Sequence, residues 1–225
     1  MAADEGLFSR LKAAAAKEWG AYTDHAFVRG LGDGTLPEAS FRHYLAQDYL
    51  FLIHFARAYA LAVYKSRSLA DMRSAGRTMA ALLDQEMALH VRLCAGWGLT
   101  PEDLEATPEA SATMAYTRYV LEEGMRGDLL DLHVALVPCV IGYWEIGARL
   151  AARPGALDPS NPYRDWIAEY AGEAYREVAK EAEDRLDRLA GGTLSEERFA
   201  DLVRIFRQAT KLEADFWQMG LDLAD

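Results

Sequence analysis

Cysteine is nearly missing from this chain of 225 residues: only Cys94 and Cys139 occur. Two thiols so far apart make neither a disulfide framework nor a paired metal spacing, so each is inert core or chemistry. His25, His43, His54, His90 and His133 are scattered. They build no His-Glu-x-x-His and no repeated Glu-x-x-His pairs, which argues against the zinc and dinuclear-carboxylate signatures. No Gly-x-Gly-x-x-Gly, phosphate loop or Gly-x-Ser-x-Gly is present either. Positive charge is in deficit, with 24 Lys and Arg against 35 Asp and Glu, a net charge of -11 and a pI near 5.0. Such a surface repels phosphate backbones, so no nucleic-acid partner is expected. No uninterrupted apolar run reaches the ~20 residues of a membrane helix. The stretch Met1–Arg10 lacks a basic segment followed by an apolar one, so no secretory signal is expected. Together these absences predict a reduced, soluble, cytoplasmic protein without a membrane span.

What is present is helix-forming. With 51% hydrophobic and 26% charged residues the chain can bury a full core, and no long linker divides it, so one domain is expected over residues 1–225. Helical periodicity dominates and strand alternation is nearly absent. The pattern predicts a first helix over Phe8–Trp19, carried by the alanine run Ala13–Ala16. A breaker cluster at Gly30–Gly34 follows. Pro37 then opens a long helix to Lys65, since proline in a first turn loses no intrahelical bond. A third helix fits Leu69–Cys94, and Thr100-Pro101-Glu102-Asp103 reads as a capped start. Further helices fit Glu109–Met125 and Asp128–Arg149, the latter kinked or broken at Pro138. A loop rich in proline precedes a helix or helix pair over Tyr163–Leu189, and a last helix runs from Ser195 to about Leu221. Long helices with short connections describe an all-α antiparallel bundle.

Bundles carry their sites on polar residues of otherwise apolar helical faces. Asp48 lies among aromatic and aliphatic neighbours, where a carboxylate needs a partner; an exposed or structurally bonded Asp is equally compatible with the periodicity. Cys139 sits in the most apolar window, Leu136–Glu145, where a cysteine is by default a small core residue and burial quiets its thiol. Glu213 shares a helical face with Phe216 and Trp217; helices so rich in aromatics more often build core than substrate sites, yet an acid facing such material can have a raised pKa and serve as a general acid. Glu86 and His90, four residues apart, read as a hydrogen-bonded structural pair, the histidine bracing a neighbouring helix near the site.

Along nearly its whole length the chain resembles the TenA family. The resemblance begins with His25-Ala26-Phe27-Val28 and Gly32-Asp33-Gly34-Thr35-Leu36-Pro37, then Phe41, Tyr44-Leu45 and Gln47-Asp48-Tyr49. It continues through Glu86 and His90, Tyr116-Thr117 and Tyr119, and is strongest at Pro138-Cys139 with Tyr143, Glu145 and Gly147. Asn161-Pro162-Tyr163, Trp166-Ile167, Tyr170, Leu212-Glu213, Phe216-Trp217 and Met219 complete it. The resemblance implies a haem oxygenase-like fold without haem, a homotetramer, no cofactor or metal, and hydrolysis of thiamin or an aminomethylpyrimidine. The product would be hydroxymethylpyrimidine, salvaged for thiamin synthesis.

It further implies that Cys139 is the nucleophile and Glu213 the general acid and base. Asp48 would bind the pyrimidine, with Phe51, Tyr116, Tyr143 and Tyr170 around it. Phe51 stands where several relatives carry Tyr, and Ala26 where Pro is common; the first exchange removes a hydroxyl. Two other classes remain open: a pyrimidine-binding or regulatory protein without turnover, and a cofactor-using oxidase or oxygenase on the same architecture.

Overall fold

The computed structural model describes residues 6–225; Met1–Glu5, and with them half of the stretch read for a leader, lie outside the described residues. Helix α1 (Leu7–Ala14) and helix α2 (Ala16–Thr23) replace the single first helix predicted. Ala15 leaves helical geometry at φ -117°, ψ 29°. The turn lets Leu7, Phe8 and Leu11 on one side and Trp19 and Tyr22 on the other all reach the core. Helix α3 (Ala26–Asp33) crosses the expected breaker cluster and ends only at Gly34, whose φ of 68° is left-handed. Gly30 and Gly32 are there for closeness. A Cβ on Gly30 would lie 3.1 Å from Leu36 Cβ, and one on Gly32 2.8 Å from Leu150 Cδ2. Helical propensity yields here to packing.

Helix α4 (Glu38–Lys65) begins after Pro37 as expected. The predicted third helix becomes α5 (Leu69–Ala81), a π-helical turn at Leu82–Glu86, and α6 (Met87–Ala95). Short helix α7 (Pro101–Glu105) starts in a full capping box between Thr100 and Asp103, and α8 (Ser111–Arg126) follows.

Helix α9 (Leu129–Ala151) opens with a second capping box, Asp128 with Asp131, and runs unbroken through Pro138. The expected break is absent because the helix is held from several sides: it packs against α8, α10 (Arg164–Ala171), α11 (Glu173–Ala190) and α12 (Glu196–Asp222). Tyr22 also anchors the proline's carbonyl, its hydroxyl donating to Pro138 O at 3.2 Å. Each fully buried aliphatic or aromatic side chain on α9 is worth about 1.5–3 kcal/mol, enough to override one missing backbone donor. By length and composition α9 could cross a membrane, with a mean hydropathy of 1.5, but 83% of its apolar window is buried inside the bundle. No strand occurs among the described residues.

Candidate active site

Helix α4 sets Tyr44 and Asp48 one turn apart on the same face. Both are buried, and the Tyr44 hydroxyl donates to Asp48 Oδ2 at 2.9 Å. His90 of α6, fully enclosed, brings Nε2 to 2.6 Å from the same oxygen. Its Nδ1 lies 2.9 Å from the Glu86 carbonyl. Both ring nitrogens face acceptors, so the imidazole donates from both and is an imidazolium. Burial pulls its pKa down, but the hydrogen bond and charge of Asp48 outweigh that and raise it. Asp48 and His90 are therefore a buried ion pair. Both hydrogen bonds to Asp48 end on Oδ2, leaving Oδ1 for another donor.

Glu213 of α12 is 1% exposed, and Tyr116 of α8 donates to its Oε1 at 2.8 Å. Burial lifts its pKa to about 8 against the pull of that bond, and the charge of Asp48 adds to the rise. Glu213 is thus protonated over most of the neutral range.

Cys139 stands on α9 between two close approaches. A Cβ on Gly142 would lie 2.4 Å from Tyr22 Cε1, so only glycine admits that ring beside the turn carrying the thiol. A Cβ on Gly147 would lie 2.6 Å from the Tyr170 carbonyl carbon, so glycine lets α10 lie against α9 and deliver Tyr170. The thiol pKa is driven well up by burial first, then by Glu213, Glu86 and Asp48. Nothing cationic offsets this, and the resting group is a thiol.

Cys139 opens onto a cavity of about 240 Å³ bounded by α4, α5, the π-helical turn, α9, α10 and α11. Glu86, Tyr170, Tyr59 and Tyr175 line it with Cys139. Tyr170 donates to Glu86 Oε1 at 2.9 Å. Burial raises the Glu86 pKa to about 7, against the nearby His90 charge. A larger hollow of about 1050 Å³ runs along α12 past Phe199, Arg207 and Lys211. It is an open surface groove without a buried titratable group, whereas the smaller space is lined by a buried thiol and the Glu86 carboxyl.

Of the catalytic and substrate-binding residues expected from the sequence, Cys139 and Tyr170 line the cavity, and so does Glu86, read there as structural. Asp48, Phe51, Tyr116, Tyr143 and Glu213 do not. Phe51 packs on Tyr116 and Tyr143 on the cavity-lining Tyr170, with ring centroids 4.9 Å and 5.0 Å apart. Phe51 sits against Phe216 as well, in an apolar setting. Glu86 and His90 do hydrogen-bond, but through the Glu86 carbonyl, which frees its carboxyl for the cavity. That carboxyl was missed; its one signal was spacing to His90. Tyr44 was missed as a site residue although its spacing to Asp48 was visible, and Tyr22 had no signal. Cys94 is buried, as expected of core, and burial pushes it up to about 11. No cluster of three or more His, Cys, Asp or Glu able to hold a metal occurs among the described residues.

Comparison with known proteins places these features in a family context. The profile of the TENA/THI-4/PQQC family matches residues 13–223. An aminopyrimidine aminohydrolase of Halalkalibacterium halodurans is 41% identical over 90% of this chain and 89% of its own. A structure described as a TenA family transcription regulator from Silicibacter sp. TM1040 superposes with a TM-score of 0.89 at 48% identity, covering 96% of both chains. A domain of unknown function with a haem oxygenase-like fold from Shewanella denitrificans superposes at 0.71 with 15% identity, over 96% of this chain and 92% of that one, and so shares the fold alone.

Proposed function

The chain belongs to the TENA/THI-4/PQQC family, and on that premise we propose that it hydrolyses the bond between the exocyclic methylene of a thiamin-related pyrimidine and its nitrogen substituent, with Cys139 as nucleophile. The observation that carries this is a single enclosed set of groups: a thiol opening onto a cavity, with the carboxyls of Glu213 and Glu86 raised to about 8 and about 7 within its electrostatic reach. A protonated acid and a partly ionised one beside a nucleophile are what a proton-coupled addition requires.

Because burial, and then the surrounding carboxyls, hold the thiol protonated, no thiolate stands ready before the substrate binds. The proton leaves as the bond forms. Sγ of Cys139 adds to the ring carbon next to the one bearing the methylene, and the thiol proton passes to Glu86. Glu213 gives its proton to the ring nitrogen, so the adduct is neutral. Ring electrons then expel the amine, which takes the proton from Glu86. Water adds to the exocyclic methylene and returns a proton to Glu86. As Sγ departs, the ring nitrogen reprotonates Glu213 and Glu86 reprotonates the sulfur. The sum is R–CH2–NH2 plus water giving R–CH2–OH plus ammonia.

Asp48 holds the substrate: with Oδ2 tied to Tyr44 and His90, Oδ1 accepts from the exocyclic amino group. Tyr170 meets the ring from the cavity lining, and Tyr116, Tyr143 and Phe51, outside that lining, come into contact as the pyrimidine settles against Cys139. The working protein is a cytoplasmic homotetramer that returns hydroxymethylpyrimidine to thiamin synthesis. The test is steady-state release of hydroxymethylpyrimidine from aminomethyl-aminopyrimidine and from thiamin, beside Cys139→Ala. Turnover that collapses in the variant is the expected result. Wild type that binds the pyrimidine without turning it over establishes instead the regulatory or binding reading, which the name of the Silicibacter relative favours.

A further inference from the structure

The cavity that holds Cys139 reaches a second set of polar groups that the hydrolysis leaves unused. Arg185 of α11 is 5% exposed, His133 of α9 is 3% exposed, and both line the cavity. Arg185 Nη1 and His133 Nε2 are buried and have no hydrogen-bond partner among the described residues. Nη2 of the same guanidinium is held by Ser74 Oγ and lies 3.6 Å from Glu181. The group is thus fixed in place with one nitrogen spare. Buried N–H groups left unmet are costly, and a guanidinium more than most, so the arrangement suits a partner that arrives from outside.

His133 is held neutral, its pKa pushed down to about 3 by burial and then by the charge of Arg185, which places the two groups in each other's field. A neutral imidazole beside a guanidinium supplies a further hydrogen bond without adding a second buried charge. His133 precedes Cys139 by six residues, about 9 Å along α9 at the helical rise. Glu86, Glu169 and Glu181 line the same cavity. The space therefore offers a thiol, carboxyl groups and a spare guanidinium to one ligand.

We infer that Arg185 and His133 form a subsite for an oxyanion carried on the leaving half of the substrate, well separated from the methylene that Cys139 serves. The carboxyls along the wall match a leaving group with a cationic ring between the methylene and that oxyanion. An amine leaving as ammonia is too short to reach; an azolium bearing a phosphate ester is long enough and carries charge of both signs in the right order. The inference rests on the hydrolase reading for its reaction, but the binding it describes can be measured without turnover.

The probes are thiamin monophosphate and thiamin, compared by kcat/KM and by calorimetric titration into the Cys139→Ala protein. Wild type is expected to favour the phosphorylated compound by about 10- to 100-fold, the range of one hydrogen-bonded ion contact. Arg185→Met and His133→Leu, on different helices, should each reduce that ratio, and Arg185→Lys should keep part of it. Inorganic phosphate alone should compete with thiamin monophosphate and not with aminomethyl-aminopyrimidine. Equal handling of the two thiamin compounds, or a preference that survives Arg185→Met, overturns the subsite. If no compound is hydrolysed but the calorimetric preference is present and depends on Arg185, the hydrolase reading falls and the oxyanion subsite stands.

Discussion

Replacing His90 by leucine tests the buried ion pair most directly. His90 and Asp48 are 0% and 3% exposed and meet at 2.6 Å. Removing one partner leaves a carboxylate in the core with only the Tyr44 hydroxyl, and breaking such a pair costs about 3–5 kcal/mol. For a chain of this size each kcal/mol moves the melting temperature by about 2–4 °C, so His90→Leu should lower Tm by roughly 6–20 °C. Because the His90 pKa is raised in the fold, its contribution is fully present below the ordinary histidine range and is lost as pH rises, so the deficit relative to wild type should be larger at pH 5 than at pH 7.5. Adding Asp48→Leu removes the stranded charge and should recover much of the loss, because a buried pair replaced as a whole by apolar side chains is often near neutral. Calorimetric melts of the wild type, both single variants and the double variant close the cycle. A drop under about 2 °C for His90→Leu, or a double variant whose loss is the sum of the singles, would refute the argument.

Glu213→Gln should lower kcat by about 10²- to 10⁴-fold; wild-type kcat/KM should fall above about pH 8, where Glu213 loses its proton, and this limb should vanish in the variant. Stability should decline as pH rises from the ordinary carboxyl range through about 7 and 8, because native Glu86 and Glu213 keep protons that the unfolded chain has released; melts of Glu213→Gln should show a shallower decline. Gly142→Ala drives a methyl into the Tyr22 ring, which must leave the Pro138 carbonyl; a loss of about 1–3 kcal/mol in urea unfolding is expected, with reduced turnover from the displaced thiol turn. A Gly142→Ala protein as stable and active as wild type would show that the close approach is not needed.

The bundle was legible because its helices are long, apolar on one face and marked by caps such as Thr100 with Asp103. What escaped was decided by neighbours distant in sequence. Gly30 and Gly32 read as breakers, yet Leu36, Leu150 and Arg153 crowd them into a helix. Pro138 read as a kink or break, yet α9 continues because its surroundings hold it. The roles of Cys139, Glu213 and Asp48 were weighed evenly or against function on periodicity alone, and only the family resemblance separated them from core. Asp48 could be seen to need a partner, but that the partner is His90 depends on how α4 and α6 cross. The Glu86 carboxyl was hidden because the π-helical turn at Leu82–Glu86 departs from the periodicity used to read the segment.

The position of α9 also bears on how the protein is made. Its apolar surface is covered largely by α10, α11 and α12, all of which follow it along the chain. During synthesis, then, a segment apolar enough to pass for a membrane helix emerges before its covering does. For as long as translation takes to deliver the last helix, Glu196–Asp222, that surface is open to chaperones and to other nascent chains. Truncations that remove the C-terminal helix should therefore fail by aggregation, well before any question of catalysis arises.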